Sequence, residues 1–372
     1  MRKTAFLFAV ALIASAFFMP ADKVCAFDGL TIIGEKGVYY YDKPQIEYFF
    51  AGTTIVKIDD VVSEICQKEY VPYKDAYINF DPDGKPTFKK VKEVSGKAVD
   101  AQRLKDDILS ALSVGGGAIK PVYNTVKPQI CEKDLNDDIV VRGKFSTDFS
   151  SSTAERKSNI KTAIKAVNGF TLCSGEIFSF NDTVGKRSEV KGYKNAKIIV
   201  DGNFVDGIGG GVCQVSTTLY NAALLSGLKI KEYHPHTLAV SYVESSFDAM
   251  VSYGACDLKF ENVTSSPVYI KGFVKDDRAC FIIYGERTDV EYERSSVIEE
   301  KVKPAINYIF NAGLDEKEYI IKVAAKDGIV SSGYLIKKVG GKVVSRKLLR
   351  KDVYKPVNGI IETGDAERSP VS

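Results

Sequence analysis

The chain has no tryptophan and only two histidines in 372 residues. Histidine chemistry is therefore confined to His234 and His236. No C-x-x-C and no H-x-x-x-H spacing occurs, so the ligand pairs that usually announce a structural or catalytic zinc are missing. Neither sign of charge dominates. Lys+Arg number 51 against 48 Asp+Glu, a formal net charge of +3, which argues against a nucleic-acid partner and slightly favours an anionic wall polymer. Beyond the N-terminal region no run is long and apolar enough to span a bilayer. What is present is an ordinary globular composition, 45% hydrophobic and 27% charged, long enough for two or three cores. Twenty Tyr and twenty Phe suit a β-rich exported protein.

Chemistry concentrates between residues 207 and 236. There Gly207-Ile208-Gly209-Gly210-Gly211-Val212-Cys213-Gln214-Val215-Ser216 runs into a helical pattern, with His234-Pro235-His236 beyond it. Val212, Val215, Leu219, Ala222, Ala223 and Leu225 recur at helical spacing, and Gly227 is a C-terminal stop. The spacing places Cys213 in the first turn, where unpaired N–H groups and the positive end of the helix dipole favour thiolate over thiol. The glycines let the backbone bend and let a substrate carbonyl approach closely at Gly211. The N–H groups of Cys213 and Gln214 are the expected oxyanion donors.

Other readings of this stretch remain open. A glycine turn before a helix also cradles phosphate, but the Lys and Ser/Thr of a P-loop are absent. In an exported protein a cysteine is commonly half of a disulfide. Cys213, His234 and His236 together also make a zinc-ligand set, though one lacking a fourth ligand at recognisable spacing. The pairing of one thiol with the only imidazoles favours a nucleophile and its base. His236 is the first choice of base because Pro235 restricts His234, with His234 close behind. Asp248, with Asp257 as runner-up, is the group expected to orient the imidazole. No metal and no cofactor is expected.

The same phrases carry a resemblance. Residues 144–284 contain Phe145-Ser146-Thr147-Asp148-Phe149, Gly175-Glu176-Ile177-Phe178-Ser179-Phe180-Asn181-Asp182, Gly192-Tyr193, the glycine–cysteine motif, His234-Pro235-His236, Asp248-Ala249 and Asp257-Leu258-Lys259-Phe260. Together they resemble a VanW domain. The resemblance implies an exported Gram-positive protein, often with a peptidoglycan-binding domain ahead of it. Some members are proposed L,D-transpeptidases, and the name comes from vancomycin-resistance clusters, which does not establish a resistance function. It also marks Asn181, Arg187 and Tyr193 as candidate substrate contacts beside Gln214, although core or turn roles suit them equally. Two departures stand out: Ser246-Phe247 where relatives carry Gly-Arg, and Cys256 where an aromatic or aliphatic residue is common.

At the N-terminus, Arg2 and Lys3 precede an apolar run over 5–19, and Val24-Cys25-Ala26 offers a cleavage site, so residues 1–26 are expected to be a signal peptide. An uncleaved segment would act as an anchor. Removing the leader leaves Cys66, Cys131, Cys173, Cys213, Cys256 and Cys280, which can pair in 15 ways. Cys66 with Cys131 and Cys256 with Cys280 are the expected pairs, each within one domain.

The fold class expected is α+β and multidomain. Residues 27–136 read as a peptidoglycan-binding α+β domain. It has helices over 59–67 and, capped by Asp100, from about 101, with a turn at Asp81-Pro82-Asp83-Gly84 that is less suited to calcium than to a hairpin. Residues 137–286 are the VanW-like domain. A Ser152/Glu155 capping box opens a helix, and a thiol-bearing helix packs on an antiparallel meander over 238–243, 250–253, 257–262, 267–274 and 280–284 that carries the histidines. Residues 287–364 read as a small β-rich module that faintly resembles the glycine-containing module following many VanW domains. Residues 365–372 form a disordered tail. The expected activity is that of a secreted cysteine L,D-transpeptidase acting on peptidoglycan stem peptides at the cell-wall surface. A non-catalytic wall-binding scaffold and a stem-peptide hydrolase are the alternatives.

Overall fold

A computed structural model of the protein describes residues 29–42, 44–45, 50–51, 54–55, 58–200 and 203–365. The expected signal peptide and the tail beyond 365 lie outside the described residues. Roughly 43% strand against 21% helix makes the fold mixed, and the strands are shared among several small sheets. The chain divides into two compact units: Met1–Tyr77 with Lys90–Leu135, and Ile78–Lys89 with Asn136–Ser372.

The first unit buries one face of each of two helices. Ile58–Glu69 contributes Ile58, Val61, Val62 and Ile65, and Ala101–Ser113 contributes Leu104, Ile108 and Leu112, against Leu30 and Ile32 of the strand Leu30–Ile33. The Asp100 carboxylate caps the second helix by accepting from the Arg103 N–H at 3.0 Å, as the sequence predicts. Asp81 is spent locally: its Oδ1 accepts from the Asp83 N–H at 3.0 Å, which closes the hairpin between Tyr77–Asp81 and Thr87–Val91. Phe80 and Phe88 of that hairpin stack with Tyr269 and Tyr284 at centroid separations of 5.3–6.3 Å, so residues 78–89 group with the second unit.

In the second unit a four-stranded antiparallel sheet runs in the order Ile139–Asp148, Arg278–Glu286, Val268–Lys275, Phe170–Leu172. Two helices cover one face. Ala154–Val167 begins one residue later than the capping box predicts, because Thr153 and not Ser152 accepts the Arg156 N–H. The helix Val212–Leu225 has Val215, Leu219, Ala222 and Ala223 fully buried, each Leu or Val contributing about 1.5–3 kcal/mol. Its polar residues on the sheet side are matched: Thr218 bonds Thr147 at 2.8 Å, and Gln214 Nε2 donates to the Asp148 carbonyl at 2.7 Å.

The expected meander is only half there. Val268–Lys275 and Arg278–Glu286 pair as predicted, and Lys259–Glu261 forms a strand, but residues 238–243 and 250–253 do not. The backbone between those two segments is drawn to side chains of the thiol-bearing helix. Ser216 Oγ donates to the Ala249 carbonyl at 2.6 Å, Thr217 Oγ1 accepts from the Ala249 N–H at 2.9 Å, and Asn221 Nδ2 donates to the Phe247 carbonyl at 2.8 Å. These replace ladder bonds and lace the segment 247–249 along the helix.

The C-terminal part holds two three-stranded sheets. One is Val290–Val302, Gly328–Val339 and Lys342–Tyr354, all antiparallel; the other is Ile306–Phe310, Gly359–Thr363 and Tyr319–Val323, with a parallel Ile306–Gly359 pairing. Neither expected disulfide forms, and all six described cysteines are free thiols. Cys66 packs against the first unit's helical core while Cys131 opens a 3-10 turn; Cys256 sits in a loop and Cys280 on a strand paired to Ser146 and Phe273.

Candidate active site

The glycine run positions the thiol. Gly211 is the residue before the helix and has φ 104°, a left-handed conformation, and a Cβ there would stand 2.9 Å from Ile160 Cγ1 and 3.0 Å from Arg156 Cγ. At Gly210 a Cβ would meet the Lys197 carbonyl at 2.6 Å. Backbone strain and crowding thus coincide at Gly211. Gly211→Ala is expected to cost about 1–3 kcal/mol or more, read as a lowered urea midpoint; unchanged stability would show that the turn tolerates a side chain.

Cys213 is partly buried in the first turn, its Sγ 3.4 Å from the Val251 carbonyl oxygen. His236 lies beside it, buried, and not on a strand but in the loop after Lys229–Glu232. Asp248 Oδ2 accepts from His236 Nδ1 at 2.6 Å and from the His236 backbone N–H at 2.7 Å, which leaves Nε2 for the thiol. Burial alone would raise the thiol and lower the imidazole, but their hydrogen bond and mutual attraction prevail. Cys213 is held below the usual thiol range, and His236 is pushed up to about 9, against its burial, first by its hydrogen bond to Asp248 and then by the thiol. Asp248 is likewise held below the ordinary carboxylate range; burial opposes this and His236 outweighs it. A thiolate–imidazolium pair oriented by a carboxylate is the result.

The remaining sequence candidates separate. His234 turns away: its Nε2 meets Glu232 Oε1 at 3.1 Å on a part-exposed surface. Asp257 accepts from Ser179 Oγ at 2.6 Å and from the Asn181 N–H at 2.9 Å, so it braces a turn rather than an imidazole. Tyr193 is buried in the hydrophobic core. Gln214 corrects the expected oxyanion arrangement. Its N–H is taken by the Gly211 carbonyl at 3.0 Å, and its side chain is used inward by Asp148, Thr147 and Arg156. Asn181 holds the Ser252 and Cys256 carbonyls and accepts from Arg187 Nη1 at 2.7 Å. Arg187, stacked over Phe180, has a buried Nη2 without a protein partner and acts electrostatically on the thiol, as Arg156 does. Among the described residues, no group of three or more His, Cys, Asp or Glu stands placed to hold a metal ion.

Two site residues had no signal near the motif. Arg350 Nη2 donates to Asp248 Oδ1 at 3.1 Å and Nη1 to the Asp248 carbonyl at 2.6 Å, while Tyr354 OH donates to Oδ1 at 2.6 Å. They lie more than a hundred residues downstream, in what reads from sequence as a separate small β-rich module.

Comparison with known proteins matches these stretches separately. The model of the VanW-like protein family covers residues 155–284, and that of the G5 domain covers 293–366. YoaR of Bacillus subtilis, an uncharacterized protein, is 44% identical over 129 residues, 35% of this chain and 43% of that one. The vancomycin B-type resistance protein VanW of Enterococcus faecalis is 28% identical over 134 residues, 35% of this chain and 49% of that one. The matched segment thus spans less than half of the curated relatives. A solved IgA1 protease G5 domain is 22% identical, covering 21% of this chain and 93% of its own, at a TM-score of 0.16. Cys213, His236 and Asp248 fall inside the first matched stretch and Arg350 and Tyr354 inside the second, so the site is carried by a VanW-like domain and completed from the G5 domain that follows it.

Proposed function

We propose that the protein is an exported, wall-associated cysteine acyltransferase that forms cross-links between peptidoglycan stem peptides. The observation that carries this reading is the thiol at a helix N-terminus beside an imidazole whose other nitrogen is held by a buried carboxylate. The similarity to VanW-like and G5 domains supports a place at the cell wall, and the N-terminal segment read as a signal peptide supports export. No described helix is long and apolar enough to cross a membrane.

The chemistry follows from the charges. The Cys213 thiolate attacks the carbonyl of the stem-peptide diamino acid, and the oxyanion faces the Cys213 N–H at the head of the helix. The His236 imidazolium protonates the departing amine as the C–N bond breaks, releasing terminal D-Ala and leaving a thioester. The now neutral imidazole takes a proton from the amine of a neighbouring stem as that amine attacks. The C–S bond breaks, restoring thiolate and imidazolium. Arg156 and Arg187 add positive potential favouring both the thiolate and a substrate ending in a carboxylate.

The pH dependence has a definite sign. Activity should rise as Cys213 ionises, at a pH below the ordinary thiol value of 9.0, and fall again as the imidazolium is lost near pH 9. A rate that keeps climbing through pH 10 would remove His236 as the acid. The deciding experiment incubates the full chain with purified muropeptides and reads the products by mass spectrometry. Cross-linked dimers with free D-Ala support transfer. Shortened stems without dimers indicate a hydrolase, and unchanged stems leave a non-catalytic scaffold.

A further inference from the structure

The Asp248 carboxylate is divided between two domains. Its Oδ2 serves His236, and its Oδ1 receives only groups of the strand Lys342–Tyr354, whose side-chain polarity is reversed. Along that strand Arg350, Asp352 and Tyr354 are 4%, 6% and 1% exposed, whereas Val353 is 67% exposed. A strand that turns charge inward and valine outward gains nothing from apolar burial, so the inward set must be matched by polar partners. Those partners belong to the thiol site. Besides Asp248, the Tyr354 hydroxyl accepts from the Ser246 N–H at 2.8 Å, and the Lys355 N–H donates to the Thr237 carbonyl, next to His236, at 2.8 Å. Gly333, opposite Arg350 in the sheet register, permits this approach, since a Cβ there would lie 2.8 Å from the Ser246 carbonyl oxygen.

We propose that Arg350 and Tyr354 of the G5 domain are positioning residues of the thiol site, fixing the Asp248 carboxylate and through it the His236 imidazole. The inference rests on the reading that Cys213 reacts through His236. The two donors act on one oxygen from two directions, which removes the carboxylate's freedom to rotate about its last torsion. The Arg350 fork, itself held by Asp352 at 2.6 Å and seated 4.6 Å from the Tyr233 ring centre, grips the main chain of Asp248 as well. Burial and the neighbouring carboxylate push the Tyr354 phenol far up, so it keeps its proton and remains a donor. Neither residue has a place in a module that only adheres or spaces.

The test measures iodoacetamide alkylation of Cys213 against pH in the full chain, with the Cys213 peptide quantified by mass spectrometry. Wild type, Arg350→Lys, Tyr354→Phe, Asp248→Asn and each pairing with Asp248→Asn are compared, with circular dichroism as the check of folding. In wild type the midpoint lies well below that of a free cysteine. In Arg350→Lys and Tyr354→Phe it moves up by about one unit, a roughly tenfold loss of thiolate on the acid side. Asp248→Asn shifts it at least as far, and adding either G5 substitution to it produces no further shift, because both act through the same carboxylate. A wild-type midpoint at the free-cysteine value would overturn the thiol chemistry and the positioning role together. A low wild-type midpoint left unmoved by Tyr354→Phe, which removes a single oxygen from a packed ring, would overturn the positioning role alone, whether or not Arg350→Lys folds.

Discussion

Cys213→Ala is expected to abolish cross-link formation while leaving the fold intact. Among the described residues Cys213 is the thiol that bonds His236, so the variant lacks the nucleophile that would form the thioester, and losses on the order of 10⁶ in turnover accompany removal of such a group. The structural cost is small because the thiol is partly exposed and alanine loses only its bond to His236 and a long contact to the Val251 carbonyl at 3.4 Å. Product analysis on muropeptides checks the loss, and a thermal melt checks the fold. Dimers formed by the alanine variant would place the chemistry elsewhere in the chain.

His236→Ala and His234→Ala should differ by orders of magnitude. Removing His236 deletes the proton carrier and the charge that holds the thiol low, so turnover falls by roughly 10²–10⁴. Asp248 keeps Arg350 and Tyr354 as partners in that variant, which limits the cost of leaving its carboxylate buried. Removing His234 breaks only a part-exposed contact to Glu232, and such pairs contribute about 0–1 kcal/mol, so activity stays close to that of the wild type. Initial rates at matched protein concentration decide it. Equal losses in both variants would mean that the buried geometry does not select the base.

Much of this site is legible in the sequence because its logic is local. A glycine turn ahead of an apolar 3.6-residue periodicity places Cys213 in a first turn, and the scarcity of histidine narrows the base to two positions. Asp248 could be named from the motif. The histidines' loop could not be told from a strand, since alternation at 238–243 mimics a ladder, whereas the chain that follows, at Phe247 and Ala249, gives its hydrogen bonds to Ser216, Thr217 and Asn221. Gln214 and Tyr193 both sit in matched phrases, yet one is spent tying the helix to Asp148 and the other takes the core role left open for it beside substrate contact. The disulfide pairs rest only on each lying within one expected domain, which carries no information about which thiols approach in space. Arg350 and Tyr354 were hidden because the pairing is non-local. The one trace they leave is the inward Arg-x-Asp-x-Tyr alternation with valine outside, which reads as an exposed strand until its partner is known.

The contact between Tyr354 and Asp248 spans 106 residues, and this sets a clock on the site. A chain made N-terminus first displays its cysteine long before the strand that steadies the carboxylate exists. Tyr354 follows Cys213 by 141 residues, so at about 5–20 residues per second of synthesis the interval is roughly 7–28 s. If Arg350 and Tyr354 hold the triad in place, the nascent thiol stays an ordinary one throughout that interval. Reactivity then arrives only once the strand Lys342–Tyr354 has been made, and a product cut short ahead of that strand carries an unactivated thiol.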